Sequence, residues 1–509
     1  MRNRFRQGCL LMLCVFLFIT GCQERSGRQK EAEKADQITL RWMVFGEKSK
    51  SSESVISEFN RQLQEHFPDT TVEFEIIPIE SYKEKWDMIM AANEPLDIVW
   101  MGNDMWSYTE EVKKGSFMAL DYLLSTCGKE LMEDIPEEMW EKQKRDGKIY
   151  GIPLKGALYR KDYAIVASKA NMEAYGDQEK IKTINQNKLY SDMECYEVFE
   201  EYLENLKAVQ KLGAGVSCVT FREIAGKGYE GIYGPDSPFI IKIFDDDLQV
   251  YNKYELESYK AYFEKMSEWY QAGYIREDIE EVLAPENENG TKNGYAFFLD
   301  ESGESGAVLN PVATEYEAIR IPLQNYKYIS YESGRNVLAI PRTTEHPQSA
   351  VEIINFLNSE AGSGLCKLLC NGFEGRHYVN LDNNRINRVV DEKGKEIYSL
   401  SPYAIGNLFL NYETTKGEFA QLKSYNANAY ISPLIGFELD TRMIVLEMEK
   451  IDLVVAEYIT GLEHGTMENW EDTYNEMILK MKEAGVDKVI SEMQKQLDVF
   501  KESKDTNPK

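Results

Sequence analysis

Histidine is scarce and scattered. The 509 residues hold four, His66, His346, His377 and His464, each isolated in sequence. There is no HExxH zinc motif and no GxSxG nucleophile elbow. The phosphate-cradling GxxxxGK[ST] loop and a GxGxxG turn after a strand are also missing. Positive charge is in deficit, with 58 Lys and Arg against 86 Asp and Glu, a formal net charge of -28. A field of that sign disfavours nucleic acid and anionic surfaces and suits a soluble, exposed protein. Of the eight cysteines, the five after Cys22 (Cys127, Cys195, Cys218, Cys366 and Cys370) are odd in number and dispersed, so no disulfide framework is implied. Cys366 and Cys370 in "LCKLLC" share a helix face at i, i+4. With no His or second Cys pair nearby they read as buried structural thiols rather than a metal or redox pair.

The apolar run at residues 10–19 is shorter than the roughly 20 residues a membrane helix needs. Arg2, Arg4 and Arg6 precede it, and small residues in "ITGC" close it at Cys22. That layout is a secretory signal, and its border resembles a bacterial lipobox, which implies that Cys22 becomes the first mature residue and carries lipid. Residues 23–36 are polar and aperiodic, as in a solvated tether.

Beyond the tether the chain is long enough for two or more domains, and its 43% hydrophobic and 12% aromatic content is that of a globular protein. "QITLRWMVFGEK" alternates as a strand, "SSESVISEFNRQLQEHFPD" is an amphipathic helix, and "TTVEFEIIPI" alternates again. A helix at 82–92 and the apolar strand "PLDIVWMG" follow. This order predicts a parallel sheet covered on both faces, with ligands bound outside the carboxyl ends of the strands. "DGKIYGIPLKGALYR" reads as a strand-like linker. Two helices with aromatic stripes follow, and helices close the chain from about 441 to 461 and 470 to 500, broken at Gly485.

Loops are rich in aromatic, amide and charged residues. Trp100, Asn103, Asp104, Trp106 and Tyr108 crowd the end of one strand. Tyr150, Tyr159 and Arg160 flank the linker, Tyr229, Tyr233 and Asp236 lie in "GYEGIYGPDSPF", and Phe373, Glu374, Arg376 and Tyr378 lie in "GFEGRHY". An aromatic plane buries the apolar face of a sugar, while carboxylates, amides and guanidinium groups satisfy its hydroxyl rim. Arg160, Arg335 and Arg376 would equally suit a ligand carboxylate, as in a uronide.

From the lipobox to the last helix the chain resembles the extracellular solute-binding lipoproteins of ABC importers, family 1, the maltose-binding-protein type. The likeness rests on "PLDIVWMGNDMWSYTEEVKKGSFMALDYLL", "DGKIYGIPL" and "ESGRNVLAIPRTTEHPQSAVEIINFLNS". "NGFEGRHYVNLDNN" and the tail "MKEAGVDKVISEMQKQLDVF" look most like the LipO-like subgroup. The resemblance implies an α/β, two-lobed periplasmic-binding-protein type II fold. Each lobe would be a mostly parallel sheet covered by helices, with an added helical C-terminal segment. It implies a signal peptide at 1–21, a tether at 22–36 and a first lobe at 37–150 with a returning segment at about 295–345. The second lobe would be 151–294 with about 346–440, and the C-terminal segment 441–509. Carried over by position, it places Phe45, Glu47, Asn103, Asp104, Trp106, Tyr159, Tyr233, Glu374 and Arg376 near the cleft, and the loop and arginine readings add Arg160, Asp236 and Arg335.

The expected function is a non-enzymatic, monomeric receptor on the outer face of the bacterial cytoplasmic membrane, held by lipid on Cys22. It would close on a sugar or oligosaccharide and deliver it to permease subunits whose ATP is hydrolysed by a separate protein, with no cofactor and no nucleic acid. The alternatives are a secreted glycoside hydrolase, a carbohydrate-sensing surface lipoprotein that does not transport, or a receptor for a peptide or a uronide.

Overall fold

The computed structural model describes residues 37–506 except 103–107, 157, 159–161, 187–188, 192–193, 214, 217–218, 235, 246, 282–294, 303–317, 323, 325, 332–335 and 383. In chain order, the strands of the three larger sheets and of one small pair are β1 (Ile38–Phe45), β2 (Thr70–Ile77), β3 (Ile98–Met101), β4 (Gly151–Pro153), β5 (Asp162–Ser168), β6 (Gly215–Val216), β7 (Tyr229–Gly231), β8 (Phe239–Lys242), β9 (Tyr251–Asn252), β10 (Tyr295–Ser302), β11 (Ala318–Pro322), β12 (Tyr328–Ile329), β13 (Val337–Ala339) and β14 (Tyr430–Ile431).

The first sheet has the order β2-β1-β3-β13-β4, and every strand runs the same way except β13. Leu40, Trp42, Met43 and Val44 of β1 are all inaccessible, because helices cover both faces. The helix Ser52–Leu63 turns Val55, Phe59 and Leu63 inward, and Ile79–Ala92 does so with Tyr82, Trp86 and Ile89. The second sheet has the order β11-β5-β10-β6, and only β5 is reversed. The helices Cys195–Ala208 and Glu257–Gln271 bury their aromatic stripes here, Phe199 lying 5.2 Å from Phe297 of β10. A third, antiparallel sheet, β9-β8-β7, belongs to the same half.

In each large sheet the reversed strand is the one that has just arrived from the other. β5 follows β4, and β13 follows β11 and β12. The chain therefore crosses between lobes after β4 and again between β11 and β13, and β14, paired in parallel with β12, begins a third crossing.

Two segment assignments read from the sequence are corrected. Strands β10 and β11, within the span assigned to the first lobe from 295 onward, do not return to it, because both pair with β5; β13 does return. Conversely, the helices Pro347–Leu357 and Ser363–Asn371 do not join the second lobe. Asn355 Oδ1 accepts from Leu131 N at 3.1 Å, and the Phe356 ring meets His66 at 4.7 Å, both in the first lobe. Periodicity specifies the type of an element but not the partner strand that completes its hydrogen bonds.

The C-terminal helices are Val445–His464, Trp470–Ala484 and Val486–Thr506, the first two ended by left-handed Gly465 and Gly485. They pack on the second lobe: Tyr474 donates to the Tyr254 carbonyl at 3.0 Å, and Gln494 accepts from Val250 N at 2.9 Å. Among the described residues no helix is long and apolar enough to cross a membrane. Cys366 and Cys370 are buried, free thiols on one helix face.

Candidate functional site

Parallel strands end together, so the first sheet has one edge from which several loops leave. β1 reaches it at Phe45, β3 at Met101 and β4 at Pro153, while β13 starts there with Val337 opposite both Met101 and Pro153. Phe45 is half-buried with its ring 4.3 Å from that of Trp100, and Glu47 is exposed. Asn103, Asp104 and Trp106 follow β3, Tyr159 and Arg160 follow β4, and Arg335 precedes β13; these six lie outside the described residues, as does Cys22.

Two aromatics that the sequence groups with this edge are core instead. Trp100 is 6% exposed, and its carbonyl accepts from the Tyr82 hydroxyl at 3.0 Å. Tyr108 is buried and donates to the Gln143 carbonyl at 3.0 Å. Both sit where a strand or helix of the lobe has already begun, so packing claims them. The helix Tyr108–Lys113 is anchored by Glu111, which is buried and accepts from Trp86 Nε1 at 3.2 Å, Ser116 Oγ at 2.7 Å and Lys114 Nζ at 2.7 Å. Burial pushes the Glu111 carboxyl up, but these bonds outweigh it and hold the group below its ordinary range.

The "GFEGRHY" turn reaches the same edge. His377 is buried; its Nδ1 accepts from Phe373 N at 2.8 Å, so the proton lies on Nε2, which donates to Ser51 Oγ at 2.9 Å. Ser51 precedes the helix that follows the Phe45–Glu47 loop, so this bond ties the two loops together. Burial, then the neighbouring Arg376, keeps the imidazole neutral by lowering its pKa. Glu374 and Arg376 themselves are exposed.

Tyr233 and Asp236 lie in the turn between β7 and β8 of the second lobe, both exposed. Tyr233 has φ +66° and is 59% exposed. The turn is held at both ends. Tyr233 N and Gly234 N donate to the Tyr331 hydroxyl at 2.7 and 3.2 Å, and the buried Lys253 Nζ donates to the Asp236 carbonyl at 2.8 Å. Tyr229 is not a rim residue; it is half-buried between Tyr190 and Tyr251, with ring separations of 5.7 and 6.3 Å.

The sequence reading missed Glu230. It is 5% exposed, and both oxygens are saturated by the crossing strands: Oε1 accepts from Ser330 Oγ at 2.6 Å and Tyr331 N at 2.9 Å, and Oε2 from Ser432 Oγ at 2.5 Å and from the Tyr328 hydroxyl. Burial raises its pKa despite those donors. The first lobe grips the same strands, through Lys142 Nζ on the Ser330 carbonyl at 2.8 Å and an ion pair between Arg145 and Glu438. No signal short of the fold could have shown this, since the partners of Glu230 lie about a hundred or two hundred positions away.

The edge presents Phe45, Glu47, Glu374 and Arg376, and the turn between β7 and β8 presents Tyr233 and Asp236; these are aromatic and polar groups of the kinds that suit a polyhydroxylated ligand. No cluster of His, Cys, Asp or Glu among the described residues could hold a metal ion. Two shallow grooves, of about 580 and 320 Å³, run along Val486–Thr506 and share no residue with this edge.

Residues 433–502 match a family described as a domain of unknown function, DUF3502. A curated protein of Streptococcus pneumoniae serotype 4, named carbohydrate ABC transporter substrate-binding protein, is 23% identical over 499 residues, covering 96% of both chains. The crystal structure of an N-glycan transport solute-binding protein, NgtS, from Streptococcus pneumoniae aligns with a TM-score of 0.73 at 21% identity, over 92% of this chain and 99% of that one. The chain has the solute-binding-protein fold. NgtS in complex with Man5GlcNAc aligns less well, with a TM-score of 0.61 at 20% identity and the same coverage. In the solute-binding-protein fold of this chain, the crossings are the segments that join the two lobes, and DUF3502 covers the third crossing after β14 together with most of the C-terminal helices.

Proposed function

We propose that this chain is the substrate-binding component of a carbohydrate ABC importer. It receives an oligosaccharide between two lobes, closes by bending at the crossings, and presents the closed form to a permease. The observation that carries this reading is the two-sheet fold with gripped crossings, in a chain alike from end to end to a relative named for that role. The glycan in the NgtS complex makes oligosaccharides of mannose and N-acetylglucosamine the first ligands to try. The edge residues Phe45, Glu47, Glu374 and Arg376 and the Tyr233–Asp236 turn form the ligand contacts, joined by Asn103, Asp104, Trp106, Tyr159, Arg160 and Arg335.

A thermal-shift and calorimetry panel of mannose-containing, neutral hexose and uronate oligosaccharides tests it. A ligand at a hundred times its dissociation constant stabilises the protein by about 2.7 kcal/mol and raises the melting temperature accordingly. Chromatography of the same mixtures will show the sugars intact. Release of fragments would make the protein a glycosidase, and a panel without any shift would remove carbohydrate as the cargo.

The lipid anchor is the finer part of the proposal. The border "ITGC" supports it, and the tether gives a folded receptor room to stand off a bilayer. Metabolic labelling with a fatty acid will mark the protein and fail to mark Cys22→Ala; equal labelling of both would refute the anchor.

A further inference from the structure

Among the described residues of the candidate site the Tyr233 turn carries the most exposed aromatic, yet its backbone is in the left-handed region, where a tyrosine is uncommon. Something must hold it. The two amide protons at the apex point to a single oxygen, the Tyr331 hydroxyl. Tyr331 is buried and follows β12 within the second crossing, where its own backbone N–H is bound by Glu230. Glu230 in turn binds Tyr328 and Ser330 of the second crossing and Ser432 of the third. A buried carboxylate must have its lone pairs filled, so the group holds these strands in one arrangement. Ser330 is shared between lobes, since its hydroxyl goes to Glu230 and its carbonyl to Lys142.

We propose that Tyr331 is a positioning residue for carbohydrate capture: its hydroxyl, seated on the crossing strand by Glu230, sets the orientation of the Tyr233 platform and ties sugar contact there to the strands that bend on closure. This rests on the receptor reading for its ligand, but the tether itself is a property of the free protein. Tyr331 does not touch the sugar; it acts through Tyr233.

Tyr331→Phe removes one oxygen and keeps the packed ring. Hydrogen exchange on the free, full-length protein will show the Tyr233 and Gly234 amides exchanging about tenfold faster, with the melting temperature shifted by only a few degrees. Calorimetry with a mannose-containing oligosaccharide will show affinity lowered about fivefold to tenfold. In a Tyr233→Ala background the same change will cost no further affinity, because the residue works through a platform already removed. Glu230→Ala removes the acceptor of the Tyr331 N–H and will speed exchange at Tyr331 as well. Unchanged exchange at Tyr233 and Gly234 in Tyr331→Phe overturns the tether, and additive affinity losses overturn the route through Tyr233. If the wild type binds no sugar while exchange responds as stated, the receptor reading falls and the tether is upheld.

Discussion

Gly465→Ala will lower the melting temperature of the second lobe by about 6–12 °C. Gly465 ends the helix Val445–His464 with φ +70°, and a Cβ there would lie 2.1 Å from the Met266 carbonyl oxygen and 2.4 Å from its carbon. Both neighbours are backbone of the helix Glu257–Gln271, so no side chain can swing aside. The left-handed conformation costs an alanine about 1–2 kcal/mol and overpacking about 1–3 more, roughly 3 kcal/mol together. Gly417→Ala separates the two contributions: its φ is +80° with nothing within 4 Å of the added carbon, so only the conformational cost applies. Scanning calorimetry of both variants checks the difference. Equal, small shifts would mean that the C-terminal helices yield without loss, contrary to their close seating on the second lobe.

Glu111→Leu is expected to cost about 3 kcal/mol in the first lobe and to weaken sugar binding. The substitution leaves the Trp86 indole N–H and the Ser116 hydroxyl buried without an acceptor, each worth about 1–3 kcal/mol. Because the carboxyl is held below its ordinary 4.5, the folded form binds protons less readily than the unfolded one. Its contribution is therefore fully present above pH 4.5 and is lost as pH falls through the folded value. Urea unfolding at neutral pH and at successively lower pH will show the gap between wild type and variant closing on the acid side. A gap that stays constant would mean the effect is packing alone. The proposed ligand contacts Asn103, Asp104 and Trp106 precede the helix Tyr108–Lys113 in sequence, so calorimetry of the variant is expected to show weaker sugar binding.

The elements were largely legible in the sequence because their signals are local. The alternation in "ITLRWMVF", the stripes of the helices at 195–208 and 257–271, and the break at Gly485 all correspond to structure. What could not be read was partnership over long separations. The apolar strand in "NGYAFFLDE" suits either lobe until β5 is known to accept it. The same limit applies to the site. Aromatics near a strand end look alike whether they face a core, as Trp100 and Tyr108 do, or solvent, as Tyr233 does. Carboxylates are so common in this acidic chain that Glu230 had no mark to separate it from a solvated one, although its environment is the opposite.

The reversed strands also set an order of assembly for a chain that emerges amino terminus first. β10 and β11 complete the second sheet by residue 322, whereas the first sheet waits for β13 at 337–339 to enter between β3 and β4. The half begun first is thus closed last, with β3 and β4 lacking their shared neighbour in the interim. Any fragment ending before residue 337 would expose that gap, so the first half cannot be expressed from one uninterrupted stretch of the gene.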